Sequence, residues 1–242
     1  MSFIIKNKIW DIKNYLVTDE KTFNSRRKIL KTLATGSLFY GGLSTFTKNS
    51  FSQTISYYPP KVNSLYKVKR AVTKEGLATS YTNFYEFGSS KNIWRRAAKL
   101  KVSPWNIIID GLVKKPLNID IDDLLKKIGG IEERTYRFRC VEAWSMTVPW
   151  GGFALNKILS LVEPTSEAKF LKFETFFDPE IAPGQKQKWY PWPFQEGMTI
   201  DEAKNDLSFI ATGIYGKKLP KQNGAPLRLV LPWKYGFKSI KS

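Results

Sequence analysis

Tyr136-Arg137-Phe138-Arg139-Cys140-Val141-Glu142-Ala143-Trp144-Ser145-Met146, continuing through Val148-Pro149-Trp150, is the stretch on which the reading of this 242-residue chain turns. Thr135 to Val141 alternates polar and apolar residues, the period of a strand with one buried face, so Cys140 stands near a strand end. Cys140 is the single cysteine of the chain. Arg137 and Arg139 beside it favour the thiolate, and thiolate sulfur is the ligand that selects soft or redox-active metals. On residue chemistry alone two readings stand: a metal ligand, or a small buried apolar side chain, which is the commoner fate of a lone cysteine.

Working outward, composition removes most other chemistry. The chain has no histidine, which excludes a Ser-His-Asp or Cys-His nucleophile, His-ligated zinc or haem, and a histidine proton shuttle. One cysteine excludes an intramolecular disulfide, a Cys-X-X-Cys pair and an iron–sulfur cluster. A metal held here must therefore arrive with most of its own ligands, inside an organic cofactor.

At the amino end, Ser25-Arg26-Arg27-Lys28-Ile29-Leu30-Lys31 is a twin-arginine pattern followed by an uncharged stretch from Thr32 to Phe46. About fifteen residues are too few to span a bilayer as a helix, so residues 1–52 are expected to be a twin-arginine signal peptide directing the protein to the periplasm. That route exports folded proteins, which suits a cofactor assembled in the cytoplasm. Residues 53–75 read as an extended leader, and residues 76–242 as one domain. Without residues 1–52 the balance is 30 Lys/Arg against 18 Asp/Glu, a net charge of +12. A basic nucleic-acid binder is thus an alternative. The charges are scattered, however, and alternate with acids over 120–139 as on a solvated surface, with no nucleic-acid-binding motif. No nucleic-acid partner is expected.

The layout is α+β. Strands are expected at 105–111, from Leu117, at 135–141, 170–176, 208–215 and 227–231. Helices are expected from Asp122 as N-cap to Lys127, over Phe153–Val162, and around Asp201-Glu202-Ala203. No Gly-X-Gly-X-X-Gly or P-loop pattern is present.

Several ordered motifs carry a resemblance: the Cys140 stretch, Asn83-Phe84-Tyr85-Glu86-Phe87-Gly88, Phe173-Glu174-Thr175, Tyr215-Gly216-Lys217, Gln222-Asn223-Gly224-Ala225-Pro226 and Pro232-Trp233-Lys234-Tyr235-Gly236-Phe237-Lys238. In these the chain resembles the molybdopterin-containing catalytic subunits of the periplasmic protein-methionine-sulfoxide reductase, within the sulfite-oxidase fold superfamily. The resemblance implies a mixed α+β sulfite-oxidase-like fold binding one Mo-molybdopterin per chain. It implies that Cys140 is the molybdenum ligand and the catalytic residue. It implies further that Thr82, Tyr85, Glu86, Thr175, Asn223, Arg228, Ser239, Ile240 and Lys241 bind the cofactor, the last four with Asn223 holding its pterin and phosphate end. Thr82 departs from the family, which has Asn there.

The resemblance also implies a function and partners. The function is reduction of methionine sulfoxide in damaged proteins by oxygen-atom transfer, with oxidised periplasmic proteins as substrate. The partners are a membrane haem b subunit as electron donor and the twin-arginine translocase. A sulfite dehydrogenase on the same fold is the alternative; sulfite-oxidising relatives place a histidine at their anion site, and this chain has none. Family members continue past the position of Ser242, so the fold is expected to lack C-terminal strands. The aromatic run Trp189-Tyr190-Pro191-Trp192-Pro193-Phe194 is expected at the mouth of the site.

Overall fold

The computed structural model describes residues 57–242. The twin-arginine pattern and its apolar stretch lie outside the described residues.

The fold is built on one hairpin. Strand β4 (Glu132–Arg139) pairs antiparallel with β5 (Ser145–Ala154), from Glu132 opposite Gly152 to Arg139 opposite Ser145. β5 continues onto β8 (Phe209–Ile214), which pairs with β10 (Arg228–Val230) and with the short β9 (Lys217–Lys218). On the other edge β1 (Lys61–Val62) lies parallel to β4, giving the order β1-β4-β5-β8-β10. From Tyr57 onward, part of the stretch read as a leader is therefore docked: Tyr58 Oη donates to the Thr212 carbonyl at 2.5 Å, and Tyr66 is buried. Two further antiparallel pairs flank the main sheet, β2 (Asn106–Ile109) with β3 (Leu117–Asp120), and β6 (Phe170–Glu174) with β7 (Gln195–Thr199).

β5 is the element that the residues concealed. Pro149 and the Gly151-Gly152 pair each disfavour a strand interior, and Phe153 was expected to open a helix. Pro149 is tolerated because β8 pairing begins only at Trp150, so its missing N–H interrupts no bond to β8. At Gly152 an added Cβ would meet Ile210 O at 2.0 Å, so close approach of the two strands requires glycine, and the register shifts there. Phe153 ends up on the strand, and helix α4 runs only over Asn156–Val162.

The N-cap of helix α3 (Ile121–Ile128) lies two residues before its expected position. Asp120 is the N-cap, its side chain accepting from Asp122 N at 2.9 Å, while Gly129 at φ 78° closes the end. Ile121, Leu124, Leu125 and Ile128 recur at helical spacing and pack with Phe153, Leu155, Ile158 and Leu159 against one face of the sheet. Helix α5 (Ile200–Lys204) carries a capping box between Thr199 and Glu202. The other sheet face covers Tyr136, Val148, Trp150 and Val230. Here the expectation of a solvated surface over 120–139 fails: Glu132 and Arg134 are buried as an ion pair at 2.5 Å, with the guanidinium over the rings of Tyr66 and Phe209. Pairing and stacking replace water for both charges. Two short helices, α1 (Glu75–Ser80) and α2 (Trp94–Ala97), bracket residues 81–88, whose Phe84 and Phe87 anchor a third cluster with Ile93 and Leu100.

Candidate active site

Cys140 opens the loop between β4 and β5. After the last strand pair its N–H donates to Trp144 O at 2.9 Å, leaving Val141, Glu142 and Ala143 as a three-residue turn with Ala143 at φ 68°. The free thiol is half-buried. Glu142, at the tip, reaches back to residues 83–91. Lys91 Nζ lies 2.6 Å from one of its carboxylate oxygens and 2.9 Å from the other, and Trp144 Nε1, Asn83 Nδ2 and Tyr85 Oη stand at 3.0, 3.2 and 3.4 Å. The hydrogen bonds from Lys91, then Trp144 and Asn83, hold its carboxyl down to about 2. One ionised carboxylate thus pins the thiol-bearing loop to the segment that carries Tyr85 and Glu86. The Tyr85 hydroxyl is pushed up by burial and then by Glu142, and Cys140 is among the groups that raise it.

The C-terminal sheet and turn bring a second cluster to the same place. Lys241 Nζ donates to Thr82 Oγ1 at 2.8 Å, Asn83 O at 2.5 Å and Gln222 O at 2.8 Å, and lies over the Phe84 ring. The Thr82 hydroxyl is therefore bonded to this lysine. Arg228 is buried, donating to the carbonyls of Leu229, Asn223 and Ser239 at 3.2, 3.1 and 3.0 Å. Its guanidinium stacks on Phe138, two residues before Cys140, and on Trp150. Burial pulls Arg228 down to about 9; Lys241 is driven well below the usual amine value by burial and the Arg228 charge, with Glu86 opposing.

The remaining sequence-predicted residues frame these two. Ser239 accepts from Leu231 N through its hydroxyl and spends its own N–H on Gly236 O, so it shapes the Arg228 pocket through its side chain and carbonyl. Ile240 accepts from Leu229 N and buries its side chain. Thr175 Oγ1 accepts from Phe194 N at 3.1 Å and is hydrogen-bonded to Glu86. Asn223 donates to Ala78 O, leaving its buried Oδ1 without a partner. Asn83 links the halves, its carbonyl facing Lys241 and its amide Glu142. Glu142, Asn83 and Lys91 were not singled out as site residues. The available signal was an acid two residues from Cys140 within an otherwise basic run.

Burial raises Glu86 to about 7 from the ordinary 4.5, against the lowering pull of Lys241 and Thr175. Below pH 4.5 the folded and unfolded carboxyls are both protonated. Between 4.5 and 7 only the folded one keeps its proton, so stability falls as pH rises through that window. Glu86→Gln in the cofactor-free protein should therefore match wild type at pH 4 and exceed it above pH 7, by up to about 3 kcal/mol. Melting temperatures across pH check this; parallel curves for the two proteins overturn it.

Residues 95–242 match the family model described as oxidoreductase molybdopterin binding domain. The chain is also 46% identical over 228 residues to the protein-methionine-sulfoxide reductase catalytic subunit MsrP of Xanthomonas axonopodis pv. citri, covering 93% of this chain and 70% of that one. The chain belongs to this reductase catalytic-subunit family. Identity to the MsrP of Xanthomonas campestris pv. campestris is the same over the same shares, and to that of Pseudomonas syringae pv. tomato it is 52% over 175 residues, 71% of this chain and 52% of the relative. Among solved structures, the sulfane dehydrogenase SoxCD of Paracoccus pantotrophus aligns with a TM-score of 0.47 and 20% identity over 59% of this chain and 37% of that chain.

The α+β molybdopterin-binding fold of the family accounts for the otherwise costly features of the site. Among the described residues no carboxylate pairs with Arg228 or Lys241, although two cations are taken out of water. Next to them lie a buried acceptor without a donor and a carboxyl poised to keep its proton. This donor set fits an anionic, hydrogen-bonding group such as a phosphate-bearing pterin. Among the described residues no three His, Cys, Asp or Glu side chains cluster to hold a metal ion by themselves.

Proposed function

We propose that this oxidoreductase is the catalytic subunit of an exported two-component system that returns methionine sulfoxide residues in proteins to methionine, using one molybdenum–molybdopterin per chain. The observation that carries this reading is that Asn83 joins the Cys140 loop, through Glu142, to the buried Lys241, in a chain whose relatives bear the reductase name. When bound, the cofactor supplies a two-electron oxygen-atom acceptor, so that a sulfoxide, two electrons and two protons become a thioether and water.

The chain's own groups divide the remaining work. Cys140 Sγ would hold the metal; Arg228, Lys241 and Asn223 would hold the anionic end, with Tyr85, Glu86 and Thr175 between. Glu142 stays ionised at neutral pH and so positions the loop without carrying a proton. Tyr85 Oη keeps its proton, donates it in a hydrogen bond to Glu142, and is the hydroxyl beside the thiol. Trp189, 63% exposed, meets the Tyr85 ring edge-on at 5.9 Å, which supports reading the aromatic run as a mouth for a side chain carried on a polypeptide. Trp192 lies one layer back, its indole N–H on Gln187 O. With no histidine and one cysteine, the chain has no haem ligands of the usual kind, and a membrane haem b subunit would deliver electrons.

One preparation tests the reading. Holoenzyme expressed with its presequence should be recovered from the periplasm, and Arg26→Lys with Arg27→Lys should leave precursor in the cytoplasm, because the export receptor reads guanidinium groups. With an artificial electron donor it should reduce oxidised protein and free methionine sulfoxide faster than it oxidises sulfite with an artificial acceptor. Faster sulfite oxidation sinks the reductase reading, and periplasmic double variant sinks the export route.

A further inference from the structure

Resting on the reductase reading, we propose that the cleft beside Arg139 binds the stretch of substrate polypeptide that flanks the oxidised methionine, and that it prefers a stretch carrying a carboxylate. Arg139 is the last residue of β4 and the immediate neighbour of Cys140, so a polypeptide presenting a side chain to the thiol passes it. A backbone bridge from Arg139 to Tyr235 holds the turn Pro232–Lys238 alongside. Between them opens a cleft of about 430 Å³ lined by Arg139, Trp233, Lys234, Tyr235, Phe237 and Lys238. That volume is in the range of small-ligand sites and holds a few side chains. Sulfite or free methionine sulfoxide would leave most of it unfilled.

The lining has a pattern. Trp233, Tyr235 and Phe237 alternate with less exposed residues and are 37%, 50% and 48% exposed, so three rings turn outward at a two-residue period. Rigid aromatic surface of this kind provides contact area at low entropy cost, as in peptide-binding surfaces. The charges are unequal in availability. Lys234 is occupied by Glu202 at 2.5 Å and Lys238 by Glu196 at 2.6 Å. Glu142, the acid nearest the thiol, is occupied by Lys91. Arg139 and Arg137, two apart on β4 and both exposed, have no ion-pair partner among the described residues. The cleft thus offers uncommitted guanidinium beside outward rings, and guanidinium matches a carboxylate through two parallel hydrogen bonds.

The test uses short peptides with one methionine sulfoxide flanked by Glu, Gln or Lys pairs. Holoenzyme turnover is measured on each, alongside fluorescence-anisotropy binding of the same labelled peptides. Wild type should favour the Glu peptide over the Lys peptide by about fivefold in kcat/KM, through KM, and less at high salt. Arg139→Glu should reverse the order. Anisotropy should show the same ranking without turnover, so the wild-type series decides even where the variant holds no cofactor. Equal binding of the Glu and Lys peptides, or an Arg139→Glu protein with the wild-type order, overturns the cleft assignment. Failure to reduce any sulfoxide while the binding order holds overturns the reductase reading and leaves the cleft.

Discussion

Cys140→Ser should lower turnover on oxidised protein on the order of a thousandfold or more, with molybdenum content per chain falling, because a hydroxyl is a hard, weakly ionised donor where a soft metal wants thiolate. The fold should survive. What the hairpin uses at this position is backbone, Cys140 N–H to Trp144 O and Ala143 N–H to Cys140 O, and Glu142 anchors the loop through its own five donor contacts. The melting temperature of cofactor-free protein should therefore shift by only about 2 °C, as for a small side-chain change at a half-buried site. Metal-to-protein ratio, turnover and melting measured on the same samples separate chemistry from folding. A serine variant with wild-type turnover would remove Cys140 from the metal.

Lys241→Met should show the opposite profile, a loss of both cofactor and stability. The ammonium ties Thr82 and Asn83 to Gln222, bonds that span 159, 158 and 19 residues of sequence. Two effects compete in the cofactor-free protein. Methionine relieves the desolvation that drives this amine below its usual value, which favours the variant. It also leaves the two carbonyls without this donor, at about 1–3 kcal/mol each, and unties residues 81–88 from the C-terminal turn. The second effect wins, for a net loss of about 2 kcal/mol, or roughly 4–8 °C in melting temperature for a domain of this size. Cofactor content should fall at least about tenfold, because the cation and the positions of Tyr85 and Glu86 are lost together. Hydrogen exchange should show amides of 81–88 opening first. Wild-type cofactor content in this variant would show that Lys241 does not hold the anionic end.

Much of the fold was legible where a local rule acts alone. α3 was found from its acidic start at Asp122 and the Gly129-Gly130 stop, with an error of two residues at the cap because Asp120 and Asp122 offer the same side chain and only the backbone turn decides between them. α5 was found from Asp201-Glu202-Ala203, of which Glu202 forms the capping box with Thr199. β5 was not, because Pro149, Gly151 and Gly152 break strands in isolation, and here they are explained by what β8 does beside them: its late start and its close approach at Ile210. The Glu132–Arg134 pair was misread for the same reason, since the rings of Tyr66 and Phe209, the Asp206 carbonyl and the Asn63 amide, all from distant positions, make that interior habitable for charge.

The site divides along the same line. Sequence by itself determined which reactive groups are available: one thiol, no histidine, and ordered motifs that put that thiol near a strand end in an α+β domain. Those are properties of residue identity and local period, and no partner is needed to read them. Tertiary structure alone decided which groups act together. It set Glu142 among Lys91, Trp144, Asn83 and Tyr85, left Arg228 and Lys241 buried without a carboxylate, raised Glu86 to about 7, and left Arg139 uncommitted beside a row of rings. The physical reason is that burial, charge compensation and proton affinity depend on the atoms that surround a group, and those neighbours come from up to 159 residues away along the chain.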